Sequence, residues 1–349
     1  MLLNFVIVTQ LLMKKHLEII PGFLLALFVA FCARFIESIL PIHLIGASVI
    51  ALFIGMGINQ IKKPSKKIQA GLKFTSKKIL KFAIVLLGAS LSIGTILHVG
   101  KLSLTVMVFT LLTCFGGGYY IGKMLGLDWK LSNLISAGTG ICGGSAIAAI
   151  APVVEADDKD IAYAMSATFI FDMAMIVLFP ILGQKLGLND MAYGLWTGTA
   201  VNDTSSVVAA GYAFSEAAGD FATMVKLTRT LSIIPTVLVF SMISARLKRK
   251  ENPNAMQEKV KLNNIVPWFI LMFVAMAVVN SFGLIPENIS LLMKNISKFL
   301  MVAALAAIGM NTDFNEMKKS GLNPMIHGFI ISALVVIVAI GVEYAMGIV

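Results

Sequence analysis

Four ionisable side chains stand inside segments apolar enough for a membrane: Asp172, Asp203, Lys226 and Arg229. A charge at the centre of a membrane helix costs roughly 2.5–3.5 kcal/mol on insertion scales, so each marks a buried pair or a functional site. Lys226 and Arg229 are three residues apart and share a helix face. Arg offers a planar fork and Lys a compact point charge, so together they could neutralise an anionic substrate. Asp172 and Asp203 could take up a coupling H⁺ or Na⁺. The same four charges could instead be buried ion pairs holding helices in register, with the cationic pair facing Asp203.

Two polar stretches surround these charges. Gly138 to Pro152 reads Gly-Thr-Gly-Ile-Cys-Gly-Gly-Ser-Ala-Ile-Ala-Ala-Ile-Ala-Pro. Gly198 to Ala210 reads Gly-Thr-Ala-Val-Asn-Asp-Thr-Ser-Ser-Val-Val-Ala-Ala; with Gly198 laid over Gly138, Thr199 falls on Thr139 and Ser205 on Ser145. Glycines in a membrane helix favour either a close-packed crossing or a break. Broken helices in secondary transporters place freed backbone groups around a substrate near the midplane. The candidate binding residues are therefore Thr139, Cys142, Gly143, Gly144 and Ser145 from the first stretch, and Asn202, Thr204, Ser205 and Ser206 from the second. Lys226, Arg229 and Asn311 complete the set, with Asp172 and Asp203 as ion-coupling groups. No base accompanies Cys142, and no His-Glu-x-x-His or Gly-x-Ser-x-Gly occurs, so catalysis is not expected. The three cysteines and four histidines are too scattered for a disulfide framework or a metal site.

The elements that must position these residues are membrane helices. Of 349 residues, 58% are hydrophobic and 13% charged, and the mean hydropathy is +0.89. That much apolar surface cannot be buried in a soluble fold, so the chain is an all-α polytopic membrane protein with the lipid bilayer as its solvent. Apolar runs give eleven candidate spans, near 18–36, 39–59, 79–98, 101–121, 131–153, 160–182, 190–213, 220–245, 264–282, 287–311 and 322–346. The net charge of +10 falls on alternate loops, which marks them as cytoplasmic rather than as a nucleic-acid surface. This places the N-terminus inside and the C-terminus outside. It also gives the two polar stretches the same orientation, and whether they unwind, cross or re-enter is open.

An internal echo runs through the chain. Ser76 to Ser90 matches Ser297 to Asn311 in position and hydropathy, with Gly309 over Gly88, and the span count makes the copies antiparallel. Inverted repeats, with halves roughly 39–153 and 190–346 inside one transporter domain spanning 1–349, are the expected architecture. Residues 1–12 precede Met13-Lys14-Lys15 and are expected to be dispensable.

The run Ile141 to Ala149 with Pro152, the run Asp203 to Gly211, the Lys226 and Arg229 pair followed by Pro235, and Gly309 to Thr312 together resemble the YeiH-type family of bacterial inner-membrane proteins, commonly labelled sulfate exporters. The family usually has His where this chain has Asn202. The resemblance covers most of the chain and implies kinship with inverted-repeat cation/proton antiporters and anion transporters. It further implies a core moving against a scaffold, a homodimer and a multi-pass location in the bacterial inner membrane. The expected function is ion-coupled transport of a small anion such as sulfate or a sulfonate. A cation/proton antiporter using Asp172 and Asp203 is the alternative, followed by a channel or sensor.

Overall fold

Long apolar runs offer lipid no unpaired backbone only when they are helical, and the computed structural model contains no strand among the described residues. It describes residues 2–39, 47–251, 268–312 and 321–349, with side chains for all but 2–17, 158 and 248–251. In chain order the helices are α1 (Leu2–Ile39), α2 (Ala47–Ile61), α3 (Lys66–Phe74), α4 (Leu80–Gly88), α5 (Ile93–Leu112), α6 (Gly118–Met124), α7 (Trp129–Ala137) and α8 (Gly144–Val154). They continue with α9 (Asp158–Lys185), α10 (Asp190–Ala200), α11 (Thr204–Phe214), α12 (Glu216–Thr230), α13 (Ile233–Glu251), α14 (Trp268–Ser281), α15 (Glu287–Asn311) and α16 (Leu322–Ala345). Single π-helical turns at Thr75–Ile79, Thr113–Gly117 and Gly138–Cys142 join α3 to α4, join α5 to α6 and extend α7. Among the described residues, six helical segments are long and apolar enough to cross a membrane by length and composition. The third expected span, 79–98, is shifted: its helix starts at Lys66, so Lys77 and Lys78 lie within the helix rather than before it.

The chain folds as two compact units, residues 1–95 with 269–313 and residues 96–268 with 314–349. In the first unit, buried alanines of α1, α2 and α15 form the core with Leu72 and Met310. Ser290 Oγ donates to Ala89 O at 2.9 Å and Ser297 Oγ to Ala83 O at 2.6 Å, so α4 and α15 run antiparallel. The two echoing segments thus point in opposite directions, as the sequence topology requires. Asn59 Nδ2 donates to Thr312 O at 2.5 Å, and Gly55 and Gly309 meet where α2 runs parallel to α15. A Cβ on Gly309 would strike Leu52 O and one on Gly55 would strike Ala306 O, both backbone atoms unable to yield. Gly309→Val is expected to destabilise the detergent-solubilised protein by about 3 kcal/mol in denaturant unfolding. Gly57→Ala, which meets nothing within 4 Å, should not lower stability.

The second unit departs from the eleven-span expectation. Lys130 Nζ at the start of α7 donates to Glu155 O just past α8 at 2.8 Å. A continuous helix would hold these ends about 37 Å apart, so 129–154 doubles back as a hairpin (hairpin 1). Ser215 Oγ after α11 donates to Asp190 Oδ1 at 2.5 Å, and the Tyr193 and Phe214 rings stack at 3.9 Å. Residues 190–214 are therefore a second hairpin, and neither 131–153 nor 190–213 crosses. Each α10 or α11 arm rises about 16 Å, half a bilayer.

The hairpins enter from opposite ends of this unit. Helix α9 starts beside the base of hairpin 1, and its far end, at Gly183, packs on Tyr193 and Phe214 at the base of hairpin 2. The base of hairpin 1 shares its end with Leu125 and Asn323, whose side chain donates to Leu125 O at 3.1 Å. That end holds Lys123 and Lys130 and is the cytoplasmic one. Alternation of eleven spans puts the acidic loop 155–160 outside and Lys185 inside; with the hairpins not crossing, 155–160 lies on the cytoplasmic side and Lys185 on the outer side. The difficulty of two polar stretches in one orientation disappears, because each returns to the side it entered from.

Candidate functional site

Half-length helices form here because polar caps interrupt the apolar pattern. Asp128 accepts from Lys130 N at 2.8 Å to start α7, Asn189 from Ala192 N at 2.9 Å to start α10, and Ser215 from Ala218 N at 2.9 Å to start α12. Hairpin 1 turns at Gly143, whose φ of 64° and ψ of −133° suit glycine alone. Hairpin 2 turns at Val201-Asn202-Asp203, and the Asp203 carboxylate caps α11 by accepting from Ser205 N at 2.8 Å and from Ser205 Oγ.

The two tips meet in the middle of the unit. A Cβ on Gly143 would stand 3.0 Å from Asp203 Cβ and 3.1 Å from its Oδ1. Lys226 and Arg229, both fully buried, bind the tips together from α12. Lys226 Nζ donates to Ile141 O at 2.9 Å and Val201 O at 2.8 Å. Those carbonyls are sixty positions apart, the register that lays Gly198 over Gly138, so the lysine joins equivalent points of two related hairpins. Arg229 donates from Nε to Gly140 O at 2.7 Å, from Nη2 to Thr139 O at 2.6 Å and from Nη1 to Val201 O at 3.2 Å. Helix C-terminal carbonyls carry roughly half a negative charge, and here the cations neutralise two such ends. The expected pairing of this cationic couple with Asp203 is thereby replaced: their hydrogen bonds go to backbone oxygens.

Asp172, midway along α9, accepts from Asn202 N through Oδ1 and from Asp203 N through Oδ2, each at 2.9 Å. In hairpin 2 the amides of Asn202, Asp203 and Ser205 thus meet carboxylates. Hairpin 1 differs. Its α8 has no side-chain cap, and the N–H groups of Gly144 and Ser145 have no partner among the described residues. Ser145 is exposed and Gly144, Asp203 and Thr204 are partly so, which makes this the accessible face of the cluster.

Of the residues singled out by sequence, the second unit brings together thirteen. Thr139 contributes its carbonyl to Arg229, and its hydroxyl is buried without a partner. Cys142 is buried within the turn, and Ser206 inside α11. Asn202 also donates from Nδ2 to Ser332 Oγ at 3.3 Å. Asn311 is the last residue of α15 and belongs to the first unit. The carbonyls of Gly140, Ile141 and Val201 and the hydroxyl of Ser332 escaped the sequence reading. Carbonyls carry no residue signature, and Ser332 sits in an otherwise apolar helix.

Fold and site define a multi-pass helical membrane protein built around two opposed re-entrant hairpins. The chain belongs to the UPF0324 membrane protein family, the family to which its motifs point. The family model described as conserved hypothetical protein 698 matches residues 21–328. A UPF0324 membrane protein of Clostridium tetani is 56% identical over 334 residues, covering 93% of this chain and 97% of the relative. One from Streptococcus pyogenes serotype M18 is 39% identical over 344 residues, covering 96% and 100%. Among solved structures, the sodium proton antiporter MjNhaP1 of Methanocaldococcus jannaschii aligns over 96% of this chain and 98% of its own, at 15% identity. The TM-score of that alignment is 0.29.

Proposed function

We propose that this protein is an ion-coupled secondary transporter of a small oxyanion, with sulfate or an organic sulfonate as the favoured substrates. The observation that carries this reading is the difference between the two tips. Where Asp203 supplies a carboxylate to the first turn of α11, the equivalent position in hairpin 1 is Gly143, and the Gly144 and Ser145 amides stand open. An oxyanion seated there would take the place that a carboxylate fills in the sister hairpin. It would accept from two amides and the Ser145 hydroxyl at the positive end of a helix. Lys226, with one N–H beyond its two carbonyl bonds, adds positive charge behind the tip.

Asp203 beside that seat supplies coupling. Its charge repels an incoming anion, and a proton or Na⁺ taken up by its carboxylate removes the repulsion. Anion and coupling ion therefore favour one another's binding by the same factor, which makes them travel together. In proteoliposomes loaded with sulfate, Asp203→Asn is expected to keep sulfate exchange while losing at least tenfold in uptake driven by an ion gradient. Uptake that still follows the gradient would remove Asp203 from the coupling step.

A cation/proton antiporter is the second reading. It is favoured by one feature, the engagement of Lys226 and Arg229 with carbonyls, which leaves Asp203 as the accessible charge of the cluster. It predicts that Asp203→Asn abolishes Na⁺- or K⁺-dependent proton movement and that sulfate has no effect.

A further inference from the structure

In the first unit, α3, the π-helical turn Thr75–Ile79 and α4 form one unbroken helix from Lys66 to Gly88, about 34 Å long and so long enough to cross a bilayer. One side of it packs on the unit's core through Gly71, Leu72 and Thr75 before the turn and Leu80 and Ala83 after it. Lysines hold the other side. Lys66, Lys73 and Lys77 follow one another at seven and four residues, hence on one face, and Lys78 adjoins them in the π turn, a kind of irregularity frequent at functional sites. All four are exposed. No acidic residue occurs between Glu37 and Asp128 in the sequence to offset them.

Two contacts fix the depth of this stripe. A Cβ on Gly71 would strike Ile19 O and one on Gly22 would strike Ile68 O, so Gly71 stands level with the start of the α1 span, Glu18–Ile39. Farther along, Ser297 of α15 donates to Ala83 O. Lys77 lies midway between Gly71 and Ala83, about 9 Å from each. Measured down α1 or down α15, it stands about 12 Å inside the cytoplasmic helix ends. A charge at that depth is costly against lipid, which marks a face that meets water.

Resting on the transport reading above, we propose that the lysine stripe is a second oxyanion-binding surface, water-filled and open to the cytoplasm, which gathers the transported anion within the inner half of the membrane. A surface of one charge sign raises the local concentration of counter-ions. A phospholipid headgroup sits at the membrane boundary, within reach of Lys66 but not of Lys77, about 16 Å farther along the helix. A second copy docked stripe to stripe would set lysine against lysine. A small soluble oxyanion fits both the depth and the charge.

The test uses full-length Lys77→Cys protein carrying Cys32→Ser, since the other two cysteines, Cys114 and Cys142, are buried. In phosphatidylcholine liposomes, the anionic sulfonatoethyl methanethiosulfonate is expected to label Lys77→Cys at least fivefold faster than the cationic trimethylammonium analogue, each rate taken relative to a free thiol. Sulfate should slow that labelling at least threefold against chloride at equal ionic strength. Lys73→Cys should behave alike, and adding Lys73→Gln and Lys78→Gln to Lys77→Cys should cut the preference below twofold. Labelling by an apolar maleimide alone would show a lipid-facing helix and overturn the proposal. Equal relative rates, or protection that requires phosphatidylglycerol, would overturn it too. Charge preference and sulfate protection in a parent that moves no sulfate would discard the transport reading and retain the stripe as an anion-binding surface.

Discussion

Arg229→Gln is expected to destabilise the second unit by about 3–5 kcal/mol, because the guanidinium braces both hairpin tips. Three of its N–H groups hold the carbonyls of Thr139, Gly140 and Val201, all at the ends of broken helices where no backbone donor can follow. Hydrogen bonds from a charged donor contribute roughly 1.5–3 kcal/mol each, and a neutral amide cannot span the three acceptors. Arg229→Lys keeps the charge without the fork and should lose about half as much. Denaturant unfolding in detergent measures the loss, and faster amide exchange confined to 138–144 and 200–206 would locate it. Unchanged stability would mean that the carbonyls find other donors and that the cation serves substrate instead.

Ser145→Asp is expected to abolish anion transport, by a hundredfold or more, while leaving the fold intact. The residue is second in α8, where an acidic side chain is worth roughly 0.3–1 kcal/mol to the helix by itself. The nearby Asp203 offsets part of that gain. The new carboxylate would reach the open amides of Gly144 and its own turn, and so occupy the seat assigned to the substrate. A stable protein without uptake separates this outcome from unfolding, whereas Ser145→Ala should weaken binding far less. Undiminished uptake by Ser145→Asp would move the anion elsewhere.

Much of this arrangement was legible in the residues. Asp172, Asp203, Lys226 and Arg229 stand out because charge is costly in lipid, and all four converge on one cluster. The match between Ile141 and Val201, implied by laying Gly198 over Gly138, reappears as two carbonyls sharing Lys226. The antiparallel echo survives as α4 against α15. Hydropathy could not distinguish a span from a hairpin, since 131–153 and 190–213 are each about as long and apolar as a crossing helix. The distinguishing signal was local. Asp128, Asn189 and Asp203 are helix caps placed twelve to fifteen residues from the next break, short of the length a crossing needs. The role of the cations was hidden for another reason, because their partners are backbone oxygens that any residue could supply.

The most direct test of an oxyanion seat at the tip of hairpin 1 uses purified protein in sealed liposomes with a trapped pH dye. Sulfate, sulfonates, dicarboxylates, Na⁺ and K⁺ are added in turn to the parent and to Ser145→Asp. The account predicts a pH change triggered by an oxyanion in the parent and lost in Ser145→Asp. Silence toward every anion, with proton movement driven by Na⁺ or K⁺ in both proteins, would contradict it and assign the hairpins to a cation/proton antiporter.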